Sequence, residues 1–192
     1  MKKALVLLAQ GCEELEAVTV IDLLRRSNTH VTAAALKAGP VLASRGTVIL
    51  ADMTLDEARR EQYDMLVLPG GLPGADHLMN DPRVISLVQT MLQSDRYVAA
   101  ICAAPKVLAR AGALKGKRFT AFPGAVPKSE MADATYVEDA VIQDGHVITS
   151  RGPGTAMDFA LRLIGILSGE EAREQVEASL QRPAAHRQRQ EG

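Results

Sequence analysis

Tryptophan is absent from this sequence, cysteine occurs only at Cys12 and Cys102, and neither sign of charge is in excess. Two cysteines supply neither a disulfide framework nor the four ligands of a structural zinc site. With 22 Lys and Arg against 23 Asp and Glu, the chain lacks the basic footprint of nucleic-acid-binding proteins. These absences argue against a disulfide-stapled fold, a resident metal and a nucleic-acid partner.

A long apolar segment is lacking as well. Lys2 and Lys3 precede a short apolar run, but this run ends at Gln10 and leads directly into acidic residues, without a cleavage site. It is too short to span a bilayer and differs from a secretory signal. We therefore expect a cytoplasmic protein with no membrane partner, whose two thiols are reduced.

The chain does contain apolar runs that alternate with amphipathic segments. Continuous apolar runs at 4–8 and 64–68 are typical of strands buried on both faces. This alternation predicts one α/β domain over 1–182, a doubly wound and mostly parallel sheet with helices on both faces. A polar tail is expected at 183–192. The remaining expected elements are strands at 31–36 and within 115–122, hairpins within 40–50 and around Asp144-Gly145, and helices at 13–26, 82–93, 156–167 and 170–180.

One stretch, 98–105, combines an apolar strand pattern with a cysteine and a proline. Small residues surround Cys102, and Pro105 suits the first turn of a helix, where its missing N–H costs nothing. A thiol at the positive end of a helix is favoured as thiolate, so we expect a pKa below the free value of about 8.5. Alternatively, Cys102 is a buried, inert, small apolar side chain. The local pattern does not decide between the two.

Two other segments follow strands and are expected at the same edge of the sheet. In doubly wound sheets, ligands bind at the carboxyl ends of the strands. This rule brings the turn at 11–16 and the Gly/Pro loop at 69–74 to the edge that carries Cys102, which favours the reactive thiol. The loop has neither the P-loop nor the dinucleotide spacing, so no nucleotide cofactor is expected. Glu16 stands among apolar helix positions, an inconsistency typical of functional residues.

Four stretches together resemble the ThiJ/PfpI superfamily, in particular its DJ-1 branch. They are Gly11–Glu16, Val67–Gly71, Ala99–Pro105 and Thr149–Thr155, in the family's order and spacing across most of the chain. The resemblance implies a flavodoxin-like fold similar to class I glutamine amidotransferases. It also implies a homodimer, a cofactor-independent activity, and a reactive Cys102 on a strained strand-to-helix elbow.

The resemblance also implies roles for individual residues around Cys102. Glu16 is expected to hydrogen-bond the sulfur. Its protonated form would lower the pKa of the thiol and its ionised form would raise it, so the two titrate as a unit. As an alternative, Glu16 is a solvated carboxylate that complements the helix dipole. The resemblance implies that the backbone N–H groups of Gly70, Gly71 and Ala103 are donors for an oxyanion. It places Glu13 at the pocket rim and Pro153 and Thr155 in the wall of the site. It also places Arg26 and Arg45 near the pocket and the dimer seam, and for these two arginines a solvated surface position is the alternative.

The sequence departs from the family pattern at several positions. Phe122 stands where some relatives place a histidine, so a Cys–His pair of the protease type lacks its base. Ala43 and Leu50 occupy the positions of the family's peripheral cysteines. Cys12 is an addition, either a resolving thiol or an idle buried one.

These features lead to two main hypotheses about function. In the first, Cys102 attacks small reactive aldehydes or glycated side chains, as a deglycase or a glutathione-independent glyoxalase, and Glu16 carries the proton. In the second, Cys102 is oxidised to a sulfinic acid in a stress-response chaperone that acts on client proteins. A peptidase and a role in thiamine biosynthesis are disfavoured.

Overall fold

A seven-stranded sheet forms the centre of the computed structural model, which describes residues 1–131 and 133–183. Its strand order is β10-β11-β7-β6-β1-β2-β5, and all neighbours are parallel except β10 and β11. The predicted fold class is confirmed. The strands of this sheet are β1 Lys3–Leu8, β2 His30–Ala35, β5 Met53–Thr54, β6 Met65–Leu68, β7 Tyr97–Ile101, β10 Val141–Asp144 and β11 Val147–Ser150.

Two shorter pairings lie outside the central sheet. The expected hairpin within 40–50 is formed by β3 Val41–Leu42 and β4 Val48–Ile49. The strand expected within 115–122 is reduced to β8 Arg118–Phe119, which pairs in parallel with β9 Thr135–Tyr136.

Helices cover both faces of the sheet, because alternate residues of each central strand point to opposite sides. On β1, for example, Val6 packs in one core cluster and Leu7 in the other. The first cluster takes its helical residues from α1 Glu14–Arg26, α6 Ala156–Ser168 and α7 Glu170–Ser179, together with Ala75. The second takes them from α2 Leu55–Ala58, α3 Gly74–Asn80, α4 Pro82–Gln93 and α5 Pro105–Arg110.

Local sequence signals explain most element boundaries. Asp81 caps α4 by accepting a 2.9 Å hydrogen bond from the Arg83 N–H, and Pro82 fills the first helical position. Gly145 and His146 form the turn between β10 and β11, so the expected hairpin is present and its turn lies one residue further along the chain. Helix α3 was not predicted as a separate element, since its seven residues include the weak helix formers Gly74 and Asn80. The predicted tail lies outside the described residues from 184 onwards, and the single domain over 1–182 stays a prediction.

Helix α1 places the carboxyl of Glu16, the predicted partner of Cys102, according to how its faces are divided. Its buried residues are Glu16, Ala17, Val20, Leu23 and Leu24, while Leu15 and Val18 are exposed. Glu14 and Glu16 in its first turn and Arg25 and Arg26 in its last complement the helix dipole. The carboxyl of Glu16 therefore points into the protein, at the edge of the sheet where the parallel strands end. Leu15 and Val18 share the exposed face of the helix with Asp22 and two arginines.

Candidate active site

Cys102 lies at the elbow where β7 turns into α5. Its backbone adopts the left-handed conformation, with φ +63°, which is rare for a residue with a side chain and costs energy. The surrounding backbone holds it there. The Cys102 N–H donates to the Ser150 carbonyl at 3.0 Å, and the Cys102 carbonyl accepts from the Phe122 N–H at 2.9 Å. The elbow fixes a thiol that is only 9% exposed.

The glycines at 70 and 71 allow a second loop to lie directly against the elbow. A Cβ on Gly70 would lie 2.7 Å from the Cys102 Cβ and 2.8 Å from the Ile101 carbonyl oxygen. Gly71 has φ +86°, and its Cβ would lie 2.3 Å from the Glu13 nitrogen. The Glu13 N–H also donates to the Gly70 carbonyl at 2.9 Å. Only glycine permits this approach, which brings the three predicted segments together.

Glu16 is fully buried beside the thiol, as its place among apolar positions predicted. Its Oε2 accepts a 2.7 Å hydrogen bond from the Gly70 N–H. Its Oε1 is buried without a regular hydrogen-bond partner, and the Cys102 thiol interacts with the carboxyl. Burial raises the pKa of Glu16 to about 7, against the lowering effect of the Gly70 N–H and the thiol. The carboxyl can therefore hold or release a proton near neutral pH.

The pKa of Cys102 moves upward, contrary to the low value expected from the helix position. Burial is the largest cause, followed by the charge of an ionised Glu16 and the hydrogen bond to it, and together they raise the pKa to about 12. The backbone N–H groups of Gly71 and Ala103 act in the opposite direction. Both contributions from Glu16 disappear when its carboxyl takes up a proton. The thiol and the carboxyl thus titrate as a coupled pair.

The three predicted oxyanion donors divide into two roles. The N–H groups of Gly71 and Ala103 interact with the sulfur, where an oxyanion bonded next to it would form. The Gly70 N–H is already engaged by Glu16, which corrects its predicted role as an oxyanion donor. Gly70 instead orients the carboxyl.

The two predicted arginines lie in different places. Arg45 is 79% exposed, and its Nε lies 4.0 Å from Oε2 of Glu13, the predicted rim residue. Arg26 lies ten residues beyond Glu16 on α1, about 15 Å along the helix, and its Nε is bound to Asp22 at 2.8 Å. The prediction that Arg26 lies near the pocket is therefore wrong for this chain, since the length of α1 separates them.

The hairpin β3–β4 is fastened to the first turn of α1 by two carboxylates. Oε2 of Glu13 accepts from the Ser44 hydroxyl at 2.8 Å, and Glu14 accepts from the backbone N–H of Arg45 at 3.0 Å and of Thr47 at 3.2 Å. Desolvation raises the pKa of the Glu14 carboxyl, but hydrogen bonds from the N–H groups of Glu14 itself, Arg45 and Thr47 outweigh this effect and lower the pKa to about 2. Sequence reasoning missed these roles of Ser44 and Glu14, because the pairing spans about thirty residues.

Phe122 and Pro153 border the elbow on its other side. Phe122 is 52% exposed, and its Cδ2 lies 3.5 Å from the position of a Cβ on Gly152. Pro153 begins a turn that ends at Thr155, whose hydroxyl lies 2.7 Å from that of Ser150. Because the Ser150 carbonyl holds the Cys102 N–H, this turn supports the elbow. The sequence analysis assigned no role to Ser150, although this residue belongs to the stretch Thr149–Thr155 that carries the family resemblance.

Cys12 occupies the turn after β1 and is fully buried. Its N–H donates to the Ala9 carbonyl at 3.0 Å, and its carbonyl accepts from the Ser44 N–H at 2.8 Å. Burial is the main cause that raises the pKa of this thiol to about 11. Both cysteines are free. Within the described residues, no cluster of three or more His, Cys, Asp or Glu could hold a metal ion, and no helix is long and apolar enough to cross a bilayer.

Comparison with known proteins shows one consistent relationship. A profile described as the DJ-1/PfpI family matches residues 2–165. "Protein dj-1beta" of Drosophila melanogaster is 41% identical over 181 residues, covering 93% of this chain and 96% of the relative. The crystal structure of Drosophila DJ-1beta superposes with a TM-score of 0.88 at 41% identity, over 93% of this chain and 97% of the other.

Two further relatives differ in length or carry an activity in their name. "Protein DJ-1 homolog B" of Arabidopsis thaliana is 42% identical over 87% of this chain, which spans only 38% of that longer protein. "Glutathione-independent glyoxalase DJR-1.2" of Caenorhabditis elegans is 34% identical, over 88% of this chain and 91% of the relative. The similarity thus extends over nearly the whole chain.

Proposed function

The chain belongs to the DJ-1/PfpI family, and from this premise we propose that it converts reactive carbonyls, as a glutathione-independent glyoxalase or a deglycase. In this proposal Cys102 is the nucleophile and Glu16 carries the proton. The observation that supports it best is the convergence on one sulfur of a carboxyl that titrates near pH 7 and the N–H groups of Gly71 and Ala103. An enzyme of this kind needs no cofactor.

The first step is addition of the thiol to an aldehyde such as methylglyoxal. The sulfur forms a bond to the aldehyde carbon, and the carbonyl electron pair moves onto its oxygen. The N–H groups of Gly71 and Ala103 stabilise the developing oxyanion. Oε1 of Glu16, which has no regular hydrogen-bond partner, takes the thiol proton and passes it to the new alkoxide, giving a hemithioacetal.

The second step moves a proton between neighbouring carbons. Glu16 removes the proton from the carbon bonded to sulfur and returns a proton to the adjacent carbon. The hydroxyl proton passes from the oxygen on the first carbon to the oxygen on the second, so that the hemithioacetal becomes a lactoyl thioester. Water then attacks the thioester, lactate leaves, and the Cys102 thiol is restored. The sum is methylglyoxal plus water giving lactate, without net oxidation. A deglycase would use the same addition on the early adducts of methylglyoxal with protein side chains.

The test is methylglyoxal consumption by the purified protein without glutathione. We expect Cys102→Ala to lose at least about a thousandfold in kcat/KM, since it lacks the nucleophile. Cys12→Ala is the matched control and retains the parent rate. Turnover by Cys102→Ala at the parent rate would refute the proposal.

The same geometry supports a second candidate, in which Cys102 responds to peroxide. Each of two peroxide molecules would transfer one oxygen atom to the sulfur and leave as water, giving a sulfinate. The unpartnered Oε1 of a protonated Glu16, with the two N–H groups, could bind the new oxygens. A stress-response chaperone acting on client proteins would use this switch. Mass spectrometry after mild peroxide treatment tests it: if the Cys102 peptide gains oxygen no faster than the Cys12 peptide, the sensor is excluded.

A peptidase receives no support from the site. The groups that influence the Cys102 thiol include Glu16, Gly71 and Ala103 but no histidine within the described part of the chain. Phe122 donates its backbone N–H to the elbow, and its ring has no group that could act as a base. Nothing at the site supports a role in thiamine biosynthesis.

We also propose a homodimer, located in the cytoplasm, where both thiols stay reduced. Apolar side chains stand exposed on α1 and on the hairpin fastened to it, and Leu50 beside the hairpin is 76% exposed. Such surfaces mark protein–protein interfaces. Arg26 and Arg45 remain proposed seam residues. Val18→Glu should halve the mass measured by sedimentation, and a parent protein that is already monomeric would contradict the dimer. The exposed apolar residues of this proposed interface are Leu15, Val18, Leu42, Val48 and Leu50.

A further inference from the structure

We propose that the side-chain hydroxyls of Ser150 and Thr155 position the Cys102 thiol for reaction, acting through the backbone of the elbow. This role rests on the proposed function of Cys102 as the nucleophile. The left-handed conformation of Cys102, with φ +63°, persists only where the surrounding structure fixes it. One contact that fixes it is the 3.0 Å hydrogen bond from the Cys102 N–H to the Ser150 carbonyl.

The peptide unit between Ser150 and Arg151 is held on both of its sides. Its carbonyl accepts the Cys102 N–H, and its own N–H donates to the Ala140 carbonyl at 3.2 Å. A peptide unit is planar and rigid, so its carbonyl and its N–H can only turn together. The orientation of this one peptide therefore sets where the backbone of the elbow lies.

The Ser150 hydroxyl adds a second bond to the same Ala140 carbonyl. Strand β11 ends at Ser150 and its neighbour β10 begins at Val141, so the regular ladder between them stops at this point. Strand ends open more easily than the middle of a strand. The Ser150 hydroxyl is fully buried and donates to the Ala140 carbonyl at 2.9 Å. It thus fixes the peptide where the ladder no longer does.

Thr155 completes a directed chain of hydrogen bonds. Its Oγ1 accepts from the Gly152 N–H at 3.1 Å and lies 2.7 Å from Oγ of Ser150. Because Ser150 gives its one hydroxyl proton to Ala140, Thr155 supplies the proton of the 2.7 Å contact. The Gly152 carbonyl, at 2.9 Å, is a second acceptor within reach of the Thr155 hydroxyl. Hydrogen bonds in such a chain strengthen one another, so loss of the Thr155 hydroxyl weakens the hold of Ser150 on Ala140.

The Thr155 hydroxyl serves the elbow and not the helix that follows it. Thr155 stands directly before α6, where threonine commonly caps a helix. Its hydroxyl is engaged by Gly152 and Ser150 instead. The side chain is therefore committed to the segment that carries the Cys102 N–H, which favours a positioning role over stabilisation of α6.

Labelling of the full-length protein with iodoacetamide at neutral pH tests this role independently of turnover. Thr155→Val keeps the shape of the side chain and removes the hydroxyl. Its Cys102 peptide should be labelled about tenfold more slowly than that of the parent, because the elbow relaxes and the sulfur moves away from the groups that assist its deprotonation. Thr155→Ser keeps the hydroxyl and should stay within about twofold of the parent rate.

A purely structural role would change labelling in the opposite direction. A looser fold exposes both buried thiols and speeds the labelling of both. In Thr155→Val the Cys12 peptide should keep its parent rate while the Cys102 peptide slows. Faster labelling of both peptides, parent-rate labelling of Cys102, or equal slowing in Thr155→Ser would overturn the proposal.

Thr29→Val is the matched control at the other edge of the sheet. Thr29 is buried directly before β2, and its hydroxyl lies 2.9 Å from that of Ser27 and 3.3 Å from that of Ser168. This variant also loses the hydrogen bonds of a buried hydroxyl, but its Cys102 labelling should stay within about twofold of the parent. Slowing as large as in Thr155→Val would refute a specific effect on the elbow.

Ser150→Ala breaks the same chain at its other member. It should also slow Cys102 labelling about tenfold, and Ser150→Ala/Thr155→Val should be no more than about twofold slower than the slower single variant. Multiplying effects would contradict one shared chain. If the parent protein does not consume methylglyoxal, the carbonyl function fails, while these labelling rates still decide the positioning role.

Discussion

Two thiols lie at the same edge of the sheet, each in the segment that follows a parallel strand, and only one has the surroundings of a nucleophile. Both are buried and both have raised pKa values, about 11 for Cys12 and about 12 for Cys102. The difference is in the neighbours. Cys102 stands on a left-handed elbow against a buried carboxyl, whereas Cys12 has acidic side chains only as more distant influences. Position and burial are therefore common to both thiols, and the neighbouring carboxyl of Glu16 is the feature that distinguishes Cys102 as the candidate nucleophile.

The Gly70–Gly71 dipeptide packs against both cysteines. A Cβ on Gly70 would meet the Cys102 Cβ, and a Cβ on Gly71 would lie 2.7 Å from the carbonyl carbon of Cys12. The dipeptide thus packs against the Cβ of one cysteine and the backbone of the other.

The largest expected contrast is in alkylation. With iodoacetamide at neutral pH, we expect the Cys102 peptide to be labelled more than about a hundredfold faster than the Cys12 peptide. The reason is that Glu16 can accept the thiol proton of Cys102 but not that of Cys12. Peptide mass spectrometry over a time course measures both rates in one sample. Comparable labelling rates of the two peptides in the folded protein would contradict the difference in reactivity expected between the two thiols.

The next prediction concerns the pH dependence of stability. The pKa of Glu16 is raised from 4.5 to about 7 on folding, so the folded state binds the proton more tightly than the unfolded state. The stabilisation is complete below about pH 4.5 and has been lost once the pH passes about 7, an effect on the order of 3 kcal/mol. Chemical denaturation of parent and Glu16→Gln across this range measures it.

Glu16→Gln is the matched control, because it keeps the shape of the side chain and removes the titration. Its free energy of unfolding should lose this pH dependence. The apparent pKa of Cys102 alkylation should also fall, since the charge of ionised Glu16 is one cause of the raised value. Identical alkylation profiles in the two proteins would remove Glu16 from the mechanism.

The sequence predicted the fold because its signals are local, whereas the pairing of Glu16 with Cys102 was implied by the family resemblance. Buried strands read as continuous apolar runs, and Glu16 stood out as a charge among apolar positions. Features that depend on distant pairing were missed, such as the bond from the Ser44 hydroxyl to Glu13 and the Ser150 carbonyl that holds the elbow. The thiol pKa was predicted in the wrong direction, because the helix position was visible in the sequence and the burial was not.

The smallest expected effect is the loss of stability when the packing of the glycine loop is disturbed on the side of one cysteine or of the other. Gly70→Ala and Gly74→Ala both place a Cβ too close to its surroundings, 2.7 Å from the Cys102 Cβ in the first case and 2.6 Å from the Cys12 nitrogen in the second. Each should cost about 2 kcal/mol of unfolding free energy, whereas Gly154→Ala, with open space around it, should cost less than about 0.5 kcal/mol.

The two destabilised variants should then differ in chemistry. Gly70→Ala moves the backbone that orients the Glu16 carboxyl, so alkylation of Cys102 should slow by about tenfold beyond what the loss of stability explains. Gly74→Ala disturbs only the Cys12 side of the loop and should leave that rate within about twofold of the parent. Equal slowing in both variants would mean that loop packing in general, and not the hydrogen bond from Gly70 to Glu16, sets the reactivity of Cys102.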